Sequence, residues 1–174
     1  ASSRFPGKPL VEITGYTLIE RCYRQAQRAQ GVDAVVVATD DERIAQHVQD
    51  FGGTVILTRA DHLTGTDRCA EAARHYPQAE VVLNVQGDEP FMPPVVIEQV
   101  AEWCRRSGVS IVTPASDHFP AGGVFDEAYT KVVTDLAHRA LYFSRQAIPA
   151  VLGAARSEWP QHFGYRKQLS VYGF

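Results

Sequence analysis

Asp88 is the residue of this sequence best placed to do chemistry. It lies in a polar Gln-Gly-Asp-Glu-Pro turn that directly follows the mostly apolar, β-branched run 81–85. Such a run predicts a strand buried on both faces of a parallel sheet, and open α/β sheets bind ligands beyond the carboxyl ends of their strands. A carboxylate there suits Mg²⁺, which prefers oxygen ligands together with substrate phosphates. A tight turn in which Asp88 and Gly87 serve only the backbone explains the same residues, so both interpretations stay open at this point.

A second candidate for chemistry is the loop formed by residues 1–10. It carries the cations Arg4 and Lys8 among serines and a glycine, and their backbone N–H groups could surround a phosphate. The spacing of a Walker A loop is absent. A solvated tail has a similar composition, but Pro6 and Pro9 stiffen the backbone, which favours a defined anion-binding loop.

Alternating helix and strand patterns predict the framework that positions these residues. Apolar spacing and turn residues predict four helices: one near 17–30, one that begins at Asp40 or Asp41 and runs through 51, one over 67–75 and one that begins at Pro93. Apolar runs predict four buried strands, at 34–39, 54–57, 81–86 and 110–113. Either Thr66 or Asp67 is the expected N-cap of the third helix. This alternation predicts an α/β fold with a doubly wound, mostly parallel sheet.

The pattern changes after about residue 114. Short strands are predicted at 131–133 and 140–143, which indicates a small antiparallel lobe added to the α/β core. We predict one structural domain overall, with a nucleotide-binding core over 1–113 and the start of a lobe over 114–174. The chain opens without Met and without a strand before its basic loop, and it stops in a strand-like sequence. We therefore expect material to be missing at both ends, which leaves the lobe incomplete.

Composition narrows the possible partners and compartment. The formal net charge of −3 argues against broad nucleic-acid binding, which requires a basic face. No apolar run approaches the length of a membrane span, and no secretory signal pattern opens the chain. The three cysteines are widely spaced within predicted helices and form no metal-binding pattern. Such usage is typical of a reducing compartment, so we expect a cytoplasmic protein.

Five motifs spread along the chain point to a family. They are Ser-Ser-Arg-Phe-Pro-Gly-Lys-Pro-Leu, Val-Ala-Thr-Asp-Asp, Thr-Arg-Ala-Asp-His-Leu-Thr-Gly-Thr-Asp-Arg, Asn-Val-Gln-Gly-Asp-Glu-Pro and Ala-Leu-Tyr-Phe-Ser-Arg-Gln-Ala-Ile-Pro. Together, and in this order, they resemble the 3-deoxy-manno-octulosonate cytidylyltransferases, the CMP-Kdo synthetases of Gram-negative lipopolysaccharide synthesis. The resemblance implies a nucleotide-diphospho-sugar transferase-like fold. It also implies transfer of CMP from CTP to Kdo with release of pyrophosphate, Mg²⁺ as cofactor and a homodimer when full length.

The resemblance also implies roles for residues of the nucleotide side. Arg4 and Lys8 match positions that contact the triphosphate, and Lys8 is expected to act in catalysis. Asp88 matches the first metal-binding aspartate and is the second expected catalytic residue, whereas a second metal-binding aspartate lies in a segment that this chain lacks. Arg68 matches an arginine near the nucleotide, and Gln86 is expected to hydrogen-bond either CTP or the sugar. Asp40 matches a family aspartate, but we expect it to cap a helix.

The sugar side matches the family less well. Arg145 matches the position that pairs with the Kdo carboxylate, a task that suits a bidentate guanidinium. Gln168 lies where the family has a sugar-site histidine, and Ala128 lies where the family usually has asparagine. Glutamine donates a hydrogen bond but does not change charge near neutral pH. Three alternatives to Kdo transfer therefore stay open: an 8-amino analogue of Kdo, a nonulosonic acid, or a nucleotide-binding remnant without turnover.

Overall fold

A computed structural model describes residues 7–174 apart from the side chain of Ser107. The chain divides into two compact units. The first comprises the residues up to Val112 together with Ser170–Phe174, and the second comprises Thr113–Leu169. The sequence predicts the last five residues to be part of the lobe. In the structure they return to the first unit, because a strand at Val171–Gly173 pairs with Leu83–Val85.

The first unit carries the helices and strands in alternation. Its helices are α1 (Leu18–Gln27), α2 (Glu42–Asp50), α3 (Gly65–Ala73) and α4 (Pro94–Ser107). Its strands are β1 (Glu12–Ile13), β2 (Tyr16–Thr17), β3 (Val37–Thr39), β4 (Val55–Leu57), β5 (Leu83–Val85) and β10 (Val171–Gly173). A 3₁₀ turn at Lys8–Leu10 precedes β1. The predicted helices are all present, and the strands are shorter than their apolar runs.

Hydrophobic packing between α1, α2 and the β3–β4 pair forms the best-defined core. Buried side chains of these elements contact one another, and partly buried ones pack around them. The buried set is Ile19, Tyr23, Val37, Ile44 and Val48, and the surrounding set is Leu10, Val35, Phe51 and Val55. Side-chain caps fix where the two helices begin, since Thr17 Oγ1 accepts from Glu20 N at 3.3 Å and Asp41 Oδ1 accepts from Arg43 N at 2.9 Å. Asp41, not Asp40, is therefore the N-cap of α2.

Strand pairing in the first unit is mixed. Strands β3 and β4 pair in parallel, with Val37 opposite Val55, as the α/β prediction requires. Strand β5 pairs with β10 in the antiparallel sense. The predicted strand at 110–113 is reduced to a bridge between Val112 and Gly173. The sequence pattern alone does not reveal this pairing, because β10 lies far along the chain from both partners.

The second unit is the predicted antiparallel lobe. Its four-stranded sheet has the order β6-β9-β7-β8, with all neighbours antiparallel. The strands are β6 (Ala115–Ser116), β7 (Lys131–Thr134), β8 (Ala140–Ser144) and β9 (Lys167–Gln168), and a short helix α5 spans Trp159–His162. A cavity of about 300 Å³ beside this sheet is lined largely by aromatic and proline side chains, including Phe119, Phe125 and Tyr165.

Candidate active site

Lys8 and Asp88 are brought together at the end of β5. Lys8 begins the 3₁₀ turn after Gly7, whose φ of 77° lies in the left-handed region open to glycine. Its Nζ donates to Asp88 Oδ2 at 2.7 Å, although the two residues are 80 positions apart. The side chains are 40% and 50% exposed, respectively. Exposed pairs of this kind contribute less than about 1 kcal/mol, so either partner can be released to a ligand at small cost.

Arg68 holds together the ends of β3 and β4. From α3 its guanidinium reaches Asp40 Oδ1 at 3.1 Å and donates to the Thr58 hydroxyl. The side chains of Arg68 and Asp40 are only 14% and 23% exposed. Asp40 therefore pairs with Arg68 and does not cap a helix as predicted. This pair orders the strand edge where the sequence predicts nucleotide contact.

Helix α3 begins with a capping box that the sequence prediction misplaced. Thr64 is the N-cap, because its Oγ1 accepts from Asp67 N at 3.1 Å. Asp67 Oδ2 in return accepts from Thr64 N at 3.1 Å. Asp67 is thus the N3 residue, and the prediction of Thr66 or Asp67 as N-cap is wrong by two or three positions. The reciprocal box wins because it satisfies two backbone N–H groups together.

Glu71 fixes the loop that leads from β4 into α3. Its two carboxylate oxygens each accept from Arg59 N at 3.3 Å, and one of them also bonds to His62 Nε2. The His62 bond is the main reason why the pKa of Glu71 lies below its ordinary value. Sequence analysis missed this tie, although Glu71 lies one turn beyond Arg68 on the same face of the helix.

Gln86 lies beside an amide that sequence analysis also missed. Its Nε2 donates to Asn84 Oδ1 in a long bond of 3.4 Å. Asn84 is buried in β5 with 4% exposure, and its Nδ2 has no hydrogen-bond partner among residues 7–174. Gly65, the first residue of α3, faces both amide nitrogens. The signal that could have identified Asn84 in the sequence is a polar residue within an otherwise apolar strand.

The cysteines do not supply a nucleophile. Burial raises the pKa of Cys22 to about 11, the largest effect there, and the nearby Asp88 and Glu89 charges add to it. Burial also raises the pKa of Cys69 and of Cys104. All three thiols are free of disulfides. At neutral pH they are protonated, so they pack as small apolar groups and are poor nucleophiles.

In the second unit the predicted sugar-binding residues contact the backbone. Arg145 Nη1 donates to the carbonyl oxygens of Glu127 at 3.0 Å and Ala128 at 2.8 Å. Gln168 Nε2 donates to Thr113 Oγ1 at 2.8 Å and also to the Leu169 carbonyl. Neither side chain lines the aromatic cavity. Arg4 lies outside the described residues.

Lys131 is an unpredicted feature of the same turn. The side chain is fully buried, and its Nζ donates to the carbonyls of Asp126 at 2.7 Å and Tyr129 at 2.8 Å. Burial lowers the pKa of this ammonium below its ordinary value, and the Arg145 charge lowers it further. Lys131 and Arg145 together hold the 126–129 turn, which contains Ala128, one of the two positions that the resemblance marks as departures from the family.

The comparison with protein families decides the assignment. A family model described as cytidylyltransferase matches residues 1–174, the whole chain. The chain belongs to the cytidylyltransferase family. Membership makes the group around Lys8 and Asp88 a candidate nucleotidyl-transfer site in this cytidylyltransferase.

Curated relatives show which cytidylyltransferases this chain is similar to. The chain is 45% identical over 150 residues to a 3-deoxy-manno-octulosonate cytidylyltransferase of Chlamydia trachomatis serovar L2, and 46% identical over 150 residues to that of Vibrio cholerae serotype O1. Each alignment covers 85% of this chain and 59% of the relative, so this cytidylyltransferase chain spans about three-fifths of the length of the curated relatives it matches.

A solved structure supports the fold directly. A CMP:2-keto-3-deoxy-manno-octonic acid synthetase complexed with CTP superposes with a TM-score of 0.86 at 36% identity, covering all of this chain and 69% of that one. The α/β, nucleotide-diphospho-sugar transferase-like fold class of this cytidylyltransferase is thereby confirmed.

The donor set around Asp88 fits magnesium only in company with a substrate. Residues 7–174 contain no group of three His, Cys, Asp or Glu side chains able to hold a metal ion by themselves. Asp88 offers one half-exposed carboxylate. Mg²⁺ is commonly bound through one or two carboxylates, waters and substrate phosphates, so a single aspartate fits that mode in a cytidylyltransferase.

Over residues 7–174, no helix combines the length and the apolar composition needed to cross a bilayer.

Proposed function

We propose that this protein transfers CMP from CTP to Kdo, releasing pyrophosphate and forming CMP-Kdo for lipopolysaccharide synthesis. The observation that carries the proposal is the Lys8–Asp88 pair at the carboxyl end of β5. There a cation lies against a carboxylate of the kind that can bind Mg²⁺, in a chain whose relatives are named for this reaction.

The proposed reaction is an in-line displacement at the α-phosphorus. The anomeric oxygen of the sugar forms the new P–O bond and loses its proton, while the bond to the β-phosphate oxygen breaks and pyrophosphate leaves with its electron pair. Magnesium bound with the triphosphate would add positive charge to its oxygens. Asp88 would hold that ion, and Lys8, released from Asp88, would neutralise charge that develops on the phosphates.

Nucleotide contacts are proposed for three further residues. Arg4 would contact the triphosphate together with Lys8, which begins the 3₁₀ turn. Arg68 would contribute by ordering the ends of β3 and β4 through Asp40 and Thr58. Gln86, held by a single long hydrogen bond, is free to turn towards either substrate.

Sugar contacts are proposed for the second unit. The Arg145 guanidinium uses Nη1 for backbone carbonyls, and its exposed remainder suits the carboxylate of an ulosonic acid. Gln168 is the specific reason to keep a second acceptor in view, because its amide is engaged by Thr113 and Leu169. An 8-amino analogue of Kdo or a nonulosonic acid is the alternative acceptor.

We also propose a homodimer and a cytoplasmic location. Strand β8 lies at an edge of its sheet and exposes Leu141, Tyr142 and Phe143 by 66%, 63% and 43%. An open, apolar edge strand is suited to pairing with a second copy. Three free, protonated thiols are typical of a reducing compartment, where CTP is also made available to enzymes.

The decisive experiment measures pyrophosphate release from CTP with Mg²⁺ and Kdo. Full-length wild-type protein, with the expected missing ends restored, is compared with Asp88→Ala and with the control Glu102→Ala, which removes an exposed, arginine-paired carboxylate from α4. We expect release that requires Kdo and Asp88 and that Glu102→Ala leaves intact. Pyrophosphate release with an 8-amino analogue of Kdo or a nonulosonic acid, but not with Kdo, would show that the acceptor is that sugar acid and not Kdo. CTP binding without release from any acceptor would favour the remnant.

A further inference from the structure

The buried amide of Asn84 is an unused donor inside the candidate site. Its side chain is 4% exposed, and Nδ2 has no hydrogen-bond partner within residues 7–174. Its Oδ1 receives only the 3.4 Å bond from Gln86 Nε2. Buried polar groups are nearly always paired, because an unpaired donor has lost its water without replacement. An amide left unpaired at a strand end calls for a partner that binds there.

Gly65 is a close neighbour of this amide. A Cβ placed on Gly65 would lie 4.0 Å from Asn84 Nδ2 and 3.9 Å from Gln86 Nε2. Gly65 itself is exposed and is the first residue of α3. The glycine therefore places no side chain between the start of the helix and the two amides. We call the group formed by Gly65, Asn84 and Gln86 the amide recess.

The chemistry of the amide recess favours an acceptor. Both amide nitrogens are donors, and the first N–H groups of α3 point out of the helix start beside them. The Asp67 carboxylate lies at the same helix end, where it accepts from Thr64. Its negative charge already offsets the helix dipole, which disfavours a second full anion such as a phosphate. The matching group is an uncharged oxygen acceptor.

We infer that Asn84 is a positioning residue for the nucleoside part of CTP, donating its Nδ2–H to a neutral oxygen, either a ribose hydroxyl or the base carbonyl. This inference rests on the proposed function and adds a contact to it. Because Nδ2 is buried in this structure, a neighbouring side chain must move when the oxygen arrives, and the adjacent Gln86 is the candidate that the proposal names. The length of its bond to Asn84 makes that movement inexpensive.

The test uses Asn84→Leu, which keeps the side-chain size and removes the donor. CTP affinity is measured by calorimetry, and the melting temperature is measured without and with CTP. We expect affinity to fall at least about tenfold, while the melting temperature without CTP stays equal or rises because no donor is left unpaired. A role confined to structure would lower the melting temperature without CTP, and that result would overturn the inference.

A second variant approaches the recess from the helix side. Gly65→Ala places a methyl group in front of both amides, in a helical position where alanine is favoured. We expect a loss of CTP affinity of about tenfold without loss of stability, and this reading remains valid if Asn84→Leu fails to fold. Gly164→Ala, at a position with nothing within 4 Å of the added Cβ, is the matched control.

The outcomes identify which oxygen of CTP accepts the hydrogen bond, and they distinguish a failure of this inference from a failure of the proposed function. If Asn84→Leu weakens CTP but not 2′-deoxy-CTP, the partner is the ribose 2′-hydroxyl, whereas equal weakening of both indicates another oxygen of the nucleoside, such as the base carbonyl. Affinities of Asn84→Leu and Gly65→Ala within about twofold of the wild type would overturn this inference alone. Absence of CTP binding by the wild type would overturn the proposed function as well.

Discussion

The candidate active site of the first unit and the 126–129 turn of the second unit hold their cationic side chains in opposite ways. In the first unit Lys8 pairs with a half-exposed carboxylate, and Arg68 pairs with Asp40. In the second unit Lys131 and Arg145 donate to backbone carbonyls of one turn. An exposed ion pair exchanges partners easily, whereas a buried donor cannot leave its carbonyls without leaving them unsatisfied. The difference indicates that Lys8 is available to a ligand, whereas Lys131 serves the fold.

Lys8→Ala tests whether the exposed Lys8 is available to a ligand, and it has the largest expected effect. Turnover should fall about 100-fold or more, because a charge that stabilises a phosphoryl-transfer transition state is lost. The free energy of unfolding should change by less than about 1 kcal/mol. Steady-state pyrophosphate release and urea unfolding measure the two quantities.

The control for this variant is Arg106→Ala, which removes an exposed cation paired with Glu102 on α4. Its turnover should match the wild type. A Lys8→Ala protein that turns over at the wild-type rate would remove the 3₁₀ turn from the active site.

Lys131→Met tests the structural side. The apolar stem is retained, but the carbonyls of Asp126 and Tyr129 lose their donor. We expect a loss of about 2 kcal/mol in the free energy of unfolding, measured with urea. Unchanged stability would mean that water replaces the ammonium without cost, and that the 126–129 turn does not depend on Lys131.

Arg145→Ala tests whether Arg145 binds the sugar acid or only stabilises the fold. If its exposed remainder binds the sugar acid, KM for the sugar should rise about tenfold while KM for CTP stays the same. If its hydrogen bonds to Glu127 and Ala128 are its whole role, stability falls and both constants move together. A change confined to KM for CTP would contradict both assignments.

Glu71 gives the smallest effect, visible in the pH dependence of stability. His62 lowers the pKa of Glu71 in the folded state below its ordinary value of 4.5. The contribution of this pair to stability is therefore complete above about pH 4.5 and is lost as the pH falls through the folded-state pKa. Glu71→Gln should flatten that acid decline in a series of unfolding curves.

The partner variant checks that His62 is the cause of the Glu71 effect. His62→Ala should flatten the decline in the same way, and the double variant should do no more than either single one. Additive effects of the two substitutions would show that the bond between these side chains does not set the acid dependence.

Local patterns predicted the helices well because their causes are local. Apolar spacing placed α1 and α2, and both begin at side-chain caps. The errors arose where two residues compete for one task, as in Asp40 against Asp41 and in the Thr64–Asp67 box. The α/β class and the antiparallel lobe could be predicted, but the pairing of β10 with β5 depends on contacts between distant segments.

The site was predicted as separate residues and not as an arrangement. Lys8 and Asp88 each carried a chemical signature, yet the ion pair between them depends on how the chain folds. Asn84 was read as part of an apolar strand, because an orphaned donor is a property of its surroundings. Contacts of Arg145 with backbone carbonyls likewise leave no trace in the sequence.

The bridge between Val112 and Gly173 joins the two segments of the first unit that flank the second unit in the chain, so the second unit is an insertion. Val112 N donates to Gly173 O at 2.9 Å, and Gly173 N donates to Val112 O at 2.8 Å, so the chain leaves and re-enters the first unit at one point. Insertions joined at such adjoining points are the ones that protein engineering exchanges most readily. Residues 113–169 form a cassette, so the corresponding unit of another cytidylyltransferase could be grafted there while β10 and the strand that leads to Asp88 keep their pairing.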